Sequence, residues 1–283
     1  MEIKKVGVVG CGAMGTGIAQ LCAQSGYQVV VSEINNELLN KGLASIDKVL
    51  ARSVEKGRIS QQDKDATLGR IKGTTSMKDF SDCDLMIEAA IENLDLKKKI
   101  FAELDKICPK DAILATNTSC LSIIDMAMVT KRPDKVLGLH FFNPAPVMRL
   151  LEIVRTIATS DETIGVCKEF AKSVGKTPVI APDKPGFIVN RLWVPYMLHA
   201  IRLYEEGVAS REDIDNAVMM GLNYPMGPLT LADLTGLDIL LFVANAIYER
   251  LKDPRYIAPT LLEKMVAAGW LGRKTGKGFY DYK

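Results

Sequence analysis

The stretch Val6-Gly7-Val8-Val9-Gly10-Cys11-Gly12-Ala13-Met14-Gly15 is a short apolar run that breaks into Gly-x-Gly-x-x-Gly and continues as Thr16-Gly17-Ile18-Ala19-Gln20-Leu21-Cys22. This order predicts a strand, a tight turn and a helix. The turn needs Gly10 for its backbone angles, Gly12 so that a pyrophosphate can approach the main chain, and Gly15 so that helix and strand pack closely. Backbone N–H groups and the positive end of the helix dipole then face the phosphates. Glycine-rich turns also serve ordinary packing, so the context decides. A second apolar run, Tyr27 to Val31, ends at Glu33, about twenty residues beyond the glycines, where a carboxylate can accept both ribose hydroxyls of an adenosine. A dinucleotide site is the expectation. A carboxylate there would also repel a 2′-phosphate, and Ile34, Asn35 and Asn36 offer no arginine to receive one. NAD is therefore expected rather than NADP, the alternative being a solvated acid that happens to end a strand.

The remaining strand-like runs are Asp84–Ile87, Ala112–Ala115, Lys135–Phe141 and Leu150–Val154, most of them separated by helical patterns. Such alternation predicts an α/β fold, a Rossmann-type doubly wound and mainly parallel sheet. The stretch from Glu37 to Arg70 exceeds a single crossover helix and reads as two helices joined near Lys56-Gly57. Ala181-Pro182-Asp183-Lys184-Pro185-Gly186 reads as a linker. Beyond it, helical periodicity dominates, as in Leu198, Ile201, Leu203 and Tyr204 or Ile239, Leu240, Val243 and Ile247. The expected organisation is a dinucleotide-binding domain at 1–183 and a second, all-helical domain at 184–283.

At 283 residues the chain exceeds one comfortable core, which supports two domains. A formal charge of +2, without basic stretches interleaved with aromatics, gives no case for nucleic acid. No apolar run approaches the roughly twenty residues of a membrane span, so no membrane association is expected. The first strand begins so close to the amino terminus that neither signal nor transit peptide is expected. The six cysteines are scattered with no CxxC pair, which suggests reduced thiols in a cytoplasmic protein, with neither a disulfide framework nor a metal site.

In open parallel sheets, ligands bind beyond the carboxyl ends of the strands. That rule gathers Gly10 to Gly15, Glu33, Glu88 to Glu92, Asn117-Thr118-Ser119, and His140 with Asn143 at one crevice. His140, among the apolar neighbours of Leu137-Gly138-Leu139-His140-Phe141-Phe142, could pass a proton to or from a substrate oxygen while a nicotinamide exchanges hydride. Its bland alternative is a buried histidine satisfied by a carbonyl. His199, inside a helical pattern, reads as packing. Glu152, an acid in the apolar run Leu150-Leu151-Glu152-Ile153-Val154, needs a partner, because an unpaired buried charge is costly. His140 is one candidate and Arg149 or Arg155 another.

Asn117-Thr118-Ser119, His140-Phe141-Phe142-Asn143-Pro144, Glu152, Gly186-Phe187-Ile188-Val189-Asn190-Arg191, Tyr224-Pro225-Met226-Gly227-Pro228 and Gly272-Arg273-Lys274-Thr275-Gly276-Lys277-Gly278-Phe279-Tyr280 together resemble the L-3-hydroxyacyl-CoA dehydrogenases, nearly end to end. The resemblance implies hydride transfer between NAD(H) and a short-chain L-3-hydroxyacyl-CoA/3-oxoacyl-CoA pair. His140 would be the acid/base and Glu152 its orienting partner, with Ser119 and Asn190 bonding the reacting oxygen and the groups near it. Glu92, Lys97, Ser119, Asn143 and Lys274 match positions the family uses around the cofactor. Where the family often has a second serine after Ser119, this chain has Cys120, expected to be a small packed side chain rather than a nucleophile. Arg52, Lys56 and Arg58, in the helical excursion, are candidates for the CoA phosphates, with a solvated basic face as the alternative. The family's habit implies a homodimer through the helical domain.

Overall fold

In the computed structural model, which describes residues 2–282, the strands are β1 (Lys5–Val9), β2 (Gln28–Ser32), β3 (Ile71–Thr74), β4 (Leu85–Glu88), β5 (Ile113–Thr116), β6 (Val136–Phe141), β7 (Leu150–Arg155) and β8 (Thr177–Pro182). They form one eight-stranded sheet of order β3-β2-β1-β4-β5-β6-β7-β8. All neighbours pair in parallel except β6 and β7. The central strands are covered on both faces, so β4, β5 and β6 are buried at every position; this is why they read as unbroken apolar runs. The two edge strands, β3 and β8, are only half-buried and carry no such signal. The residues Ala181 and Pro182, expected as linker, belong to β8, and Pro178 and Pro182 are tolerated there because an edge strand has fewer partners for an N–H.

The helices of the first unit, Met1–Lys184, are α1 (Ala13–Gln24), α2 (Asn36–Glu55), α3 (Gln61–Gly69), α4 (Leu94–Ile107), α5 (Ile123–Ala127) and α6 (Asp161–Ser173). Local chemistry starts them where the sequence allows. The Asn35 side chain accepts from Leu38 N–H at the head of α2, and Ser60 with Asp63 forms a capping box on α3. Leu39, Gly42, Ile46 and Leu50 recur at helical spacing along α2 and are its buried stripe. The second unit, Pro185–Lys283, contains α7 (Val189–Glu205), α8 (Arg211–Gly221), α9 (Pro228–Thr235), α10 (Leu237–Leu251) and α11 (Thr260–Ala267). Its organising polar group is Asp233, 1% exposed on α9, which accepts from the N–H groups of Phe279 and Tyr280 and from the Tyr282 hydroxyl. Burial raises the pKa of this carboxyl. Among the described residues no single helix is long and apolar enough to cross a membrane.

Candidate active site

The sheet reverses its winding between β1 and β4, so the carboxyl ends of those strands border the crevice where ligands of doubly wound folds bind. Gly10 adopts φ +97°, and a Cβ there would meet the Ala89 carbonyl oxygen at 2.7 Å. A Cβ on Gly15 would meet the Gly10 carbonyl oxygen at 1.9 Å, whereas one on Gly12 would meet nothing within 4 Å. Gly10 and Gly15 are therefore demanded by the protein's own packing, and Gly12 faces open space that a Cβ would encroach on. Glu33, at the end of β2, accepts from Cys11 N–H at 2.9 Å and Ile34 N–H at 2.8 Å. Two of a carboxylate's roughly four acceptor positions are thus used, leaving capacity for hydroxyl donors. The turn and Glu33 fit a dinucleotide.

Behind that turn lies a buried ionic network. Glu88, fully buried at the end of β4, accepts from Lys97 Nζ at 2.6 Å, Ala90 N–H at 2.7 Å and the Thr116 hydroxyl at 2.6 Å. Lys97, on α4 and 1% exposed, also donates to the Ala90 carbonyl at 3.3 Å and pairs with Glu92 at 3.3 Å. Glu92 in turn accepts from the Thr118 hydroxyl and from Ser119 N–H at 3.1 Å. Two hydrogen bonds and an ion pair thus surround the Lys97 ammonium, which ties together the loops after β4 and β5. Glu88 was placed at the crevice by its position after an apolar run, but nothing local announced that it holds Lys97.

The antiparallel pairing of β6 with β7 sets His140 directly opposite Glu152. Nδ1 of the imidazole lies 2.6 Å from Glu152 Oε2, with the two side chains 5% and 0% exposed. Nε2 lies 3.1 Å from the Ser119 hydroxyl. With the carboxylate accepting at Nδ1, that contact sets the ring's orientation and turns Nε2 toward Ser119. Arg155 pairs instead with Asp161 at 2.7 Å. Phe142 packs on the imidazole with ring centroids 4.6 Å apart, and Asn117 accepts from Phe141 N–H at 2.9 Å, bracing the strand end. Cys120 is buried beside this loop. Burial pushes the Cys11 and Cys108 thiols up to about 11 and those of Cys22, Cys83 and Cys167 up to about 12, so these five stay protonated near neutrality. Among the described residues no group of acidic, histidine and cysteine side chains is arranged to hold a metal ion.

The other expected site residues occupy separate places. Asn143 is exposed just beyond β6, and Arg52 and Lys56 are exposed on the last turn of α2 and at its cap. In the second unit, Asn190 is 9% exposed in the first turn of α7. Lys274 pairs there with both carboxylate oxygens of Asp238, at 2.5 and 2.6 Å.

A glycine turn fitted to a pyrophosphate, on the same sheet edge as an imidazole held by a carboxylate, is the equipment of a nicotinamide-dependent dehydrogenase. The description "3-hydroxyacyl-CoA dehydrogenase, NAD binding domain" matches residues 5–184, and "3-hydroxyacyl-CoA dehydrogenase, C-terminal domain" matches residues 186–282. The chain belongs to the 3-hydroxyacyl-CoA dehydrogenase family, whose members are NAD-dependent oxidoreductases. It is 48% identical over 282 residues to a 3-hydroxybutyryl-CoA dehydrogenase of Mycobacterium tuberculosis, covering 99% of each chain. It is 46% identical over 278 residues to one of Clostridioides difficile, covering 98% of this chain and 99% of the relative. The crystal structure of (S)-3-hydroxybutyryl-CoA dehydrogenase from Ralstonia eutropha superimposes with a TM-score of 0.94 at 45% identity, covering all of both chains.

Proposed function

We propose that this protein interconverts a short-chain L-3-hydroxyacyl-CoA and the 3-oxoacyl-CoA with NAD(H), and that the pair is 3-hydroxybutyryl-CoA and acetoacetyl-CoA. The observation that carries the reading is the imidazole of His140, held at Nδ1 by Glu152 and facing the Ser119 hydroxyl at Nε2. Its full-length relatives named for that substrate supply the chain length. The bound nicotinamide supplies or accepts the hydride. Gly10, Gly12 and Gly15 would hold its phosphates and Glu33 its ribose, with Glu92, Ser119, Asn143 and Lys274 around it; Lys97, being buried, contributes by fixing Glu92.

In the reductive direction, a protonated His140 gives its Nε2 proton to the carbonyl oxygen as that oxygen becomes an alcohol. In the oxidative direction the neutral ring takes it back. Glu152 fixes the tautomer and stabilises the imidazolium. The Ser119 hydroxyl, and Asn190 from the helical unit, would hydrogen-bond the reacting oxygen and the thioester. Arg52 and Lys56 would meet the CoA phosphates. The protein would act in the cytoplasm as a homodimer joined through its helical unit, in butyrate or fatty acid metabolism.

The test mixes the protein with NADH and acetoacetyl-CoA and follows nicotinamide absorbance. Acetoacetyl-CoA should be reduced much faster than free acetoacetate, because binding of the CoA tail orients the reacting carbonyl. Equal rates with the free acid would make this a hydroxy-acid dehydrogenase instead.

A further inference from the structure

The edge that carries His140 also carries a buried ammonium that the reaction leaves unused. Because β7 runs against β6 and β8 runs with β7, the residue before β8 lies at the edge where β6 ends. That residue is Lys176, 6% exposed. Its Nζ donates to the carbonyl oxygen of Ala145 at 2.6 Å and to that of Met148 at 2.7 Å. Both acceptors are main-chain carbonyls rather than carboxylates. Burial lowers the lysine's pKa from its ordinary value. Placing an ammonium in such a site is costly, which directs attention to what it holds.

The two carbonyls belong to the connection between β6 and β7, residues 142–149. It begins with Phe142, whose ring lies on the His140 imidazole, followed by Asn143. Its middle approaches α1 closely, since a Cβ on Gly17 would meet the Ala145 methyl at 3.2 Å. The segment closes on itself, with the N–H groups of Val147 and Met148 both donating to the Pro144 carbonyl at 2.9 and 3.1 Å. Asn143, Val147, Met148 and Arg149 are exposed, so the buried Ala145 methyl is the segment's main apolar anchor, and the two carbonyls on the Lys176 ammonium are its polar one.

We propose that Lys176 is a positioning residue: its ammonium clamps the Ala145 and Met148 carbonyls, fixes this connection, and so holds Phe142 against the imidazole and Asn143 at the cofactor edge. The inference rests on the proposed roles of His140 and Asn143. An arginine can still span the two carbonyls, whereas a methionine of similar length leaves both unpaired. The connection would then drift while the sheet beneath it persists.

The test compares Lys176→Met and Lys176→Arg in the full chain with Ile46→Ala, which opens a cavity under α2 away from the connection. Melting temperature, NADH affinity by fluorescence titration without substrate, and kcat and KM with acetoacetyl-CoA are measured for each. Lys176→Met should weaken NADH binding and lower kcat, each by about tenfold, the scale expected when a reacting group is displaced by less than an ångström. Lys176→Arg should recover most of both, and Ile46→Ala should lower the melting temperature without changing either. Wild-type NADH affinity and kcat in Lys176→Met would overturn the clamp, as would a Lys176→Arg variant as impaired as Lys176→Met. A wild-type chain inactive on acetoacetyl-CoA would undo the proposed function instead, while the NADH titration still reads the clamp.

Discussion

Two buried acid–base pairs stand on the same sheet edge, and they are built for different work. Lys97 donates to Glu88 and to the Ala90 carbonyl and pairs with Glu92, so its ammonium is enclosed by acceptors. His140 meets Glu152 with one ring nitrogen only. Its other nitrogen lies 3.1 Å from the Ser119 hydroxyl, and an imidazole nitrogen, unlike an ammonium, can act as donor or acceptor. The first pair joins the loops after β4 and β5 into one rigid edge. The second sets an imidazole nitrogen against the Ser119 hydroxyl at that edge. Burial of a charged pair is thus no sign of catalysis by itself; what matters is whether the paired group can both give and take a proton.

Substitutions should separate the two pairs by what they change. His140→Ala should lower kcat by roughly 10² to 10⁴, the usual scale for a positioned acid or base, as read from steady-state reduction of acetoacetyl-CoA. Glu152→Gln should lower kcat less, and the double variant should be little worse than His140→Ala alone, because the two residues act as a unit. Multiplicative losses would make Glu152 an independent structural group and dissolve half of the contrast. Lys97→Met should instead act on stability, losing about 3–5 kcal/mol in denaturant unfolding because the buried Glu88 carboxylate is left without its cation. A Lys97→Met variant as stable as the wild type, yet catalytically dead, would move Lys97 into the reacting group and reverse the comparison.

Smaller effects should come from the cofactor and tail sites. Glu33→Ala should narrow the preference for NADH over NADPH, chiefly through KM, because the carboxylate that repels a 2′-phosphate is gone. It should also weaken NADH binding, since Glu33 braces the glycine turn through Cys11 N–H. A wild type that already prefers NADPH would refute this. The smallest change is expected for Arg52→Ala with Lys56→Ala. Their joint KM for acetoacetyl-CoA should exceed the wild-type value at low ionic strength, and the gap should close as salt is added, because the Debye length falls to about 10 Å at 0.1 M. An unchanged KM would return both side chains to a solvated basic face.

The sequence alone determined the parts of this protein that depend on local rules. Gly10, Gly12 and Gly15 after an apolar run specify a strand, a turn and a helix; Glu33 at the end of the next run stands at the carboxyl end of β2, bonded to Cys11 N–H of that turn. Central strands such as β4 to β6 announce themselves because burial on both faces requires unbroken apolar runs, and the first of the helices between Glu37 and Arg70 follows from the periodicity of α2. Edge strands escaped notice for the converse reason: β3 and β8 are half-buried and need no such run. Glu152 could be recognised as a charge needing a partner, but not which partner. Choosing His140 over Arg155 required the β6–β7 register, a contact between strands that no local pattern encodes. Lys176 lies in the turn between α6 and β8, where no local pattern marks its burial. Only the reversal of the sheet at β7 carries it to the reactive edge and buries its ammonium among carbonyls more than a helix away in sequence. Propensity and periodicity act over neighbouring residues, whereas the partners of buried charges are set by strand order and register, and those are fixed only when the chain closes on itself.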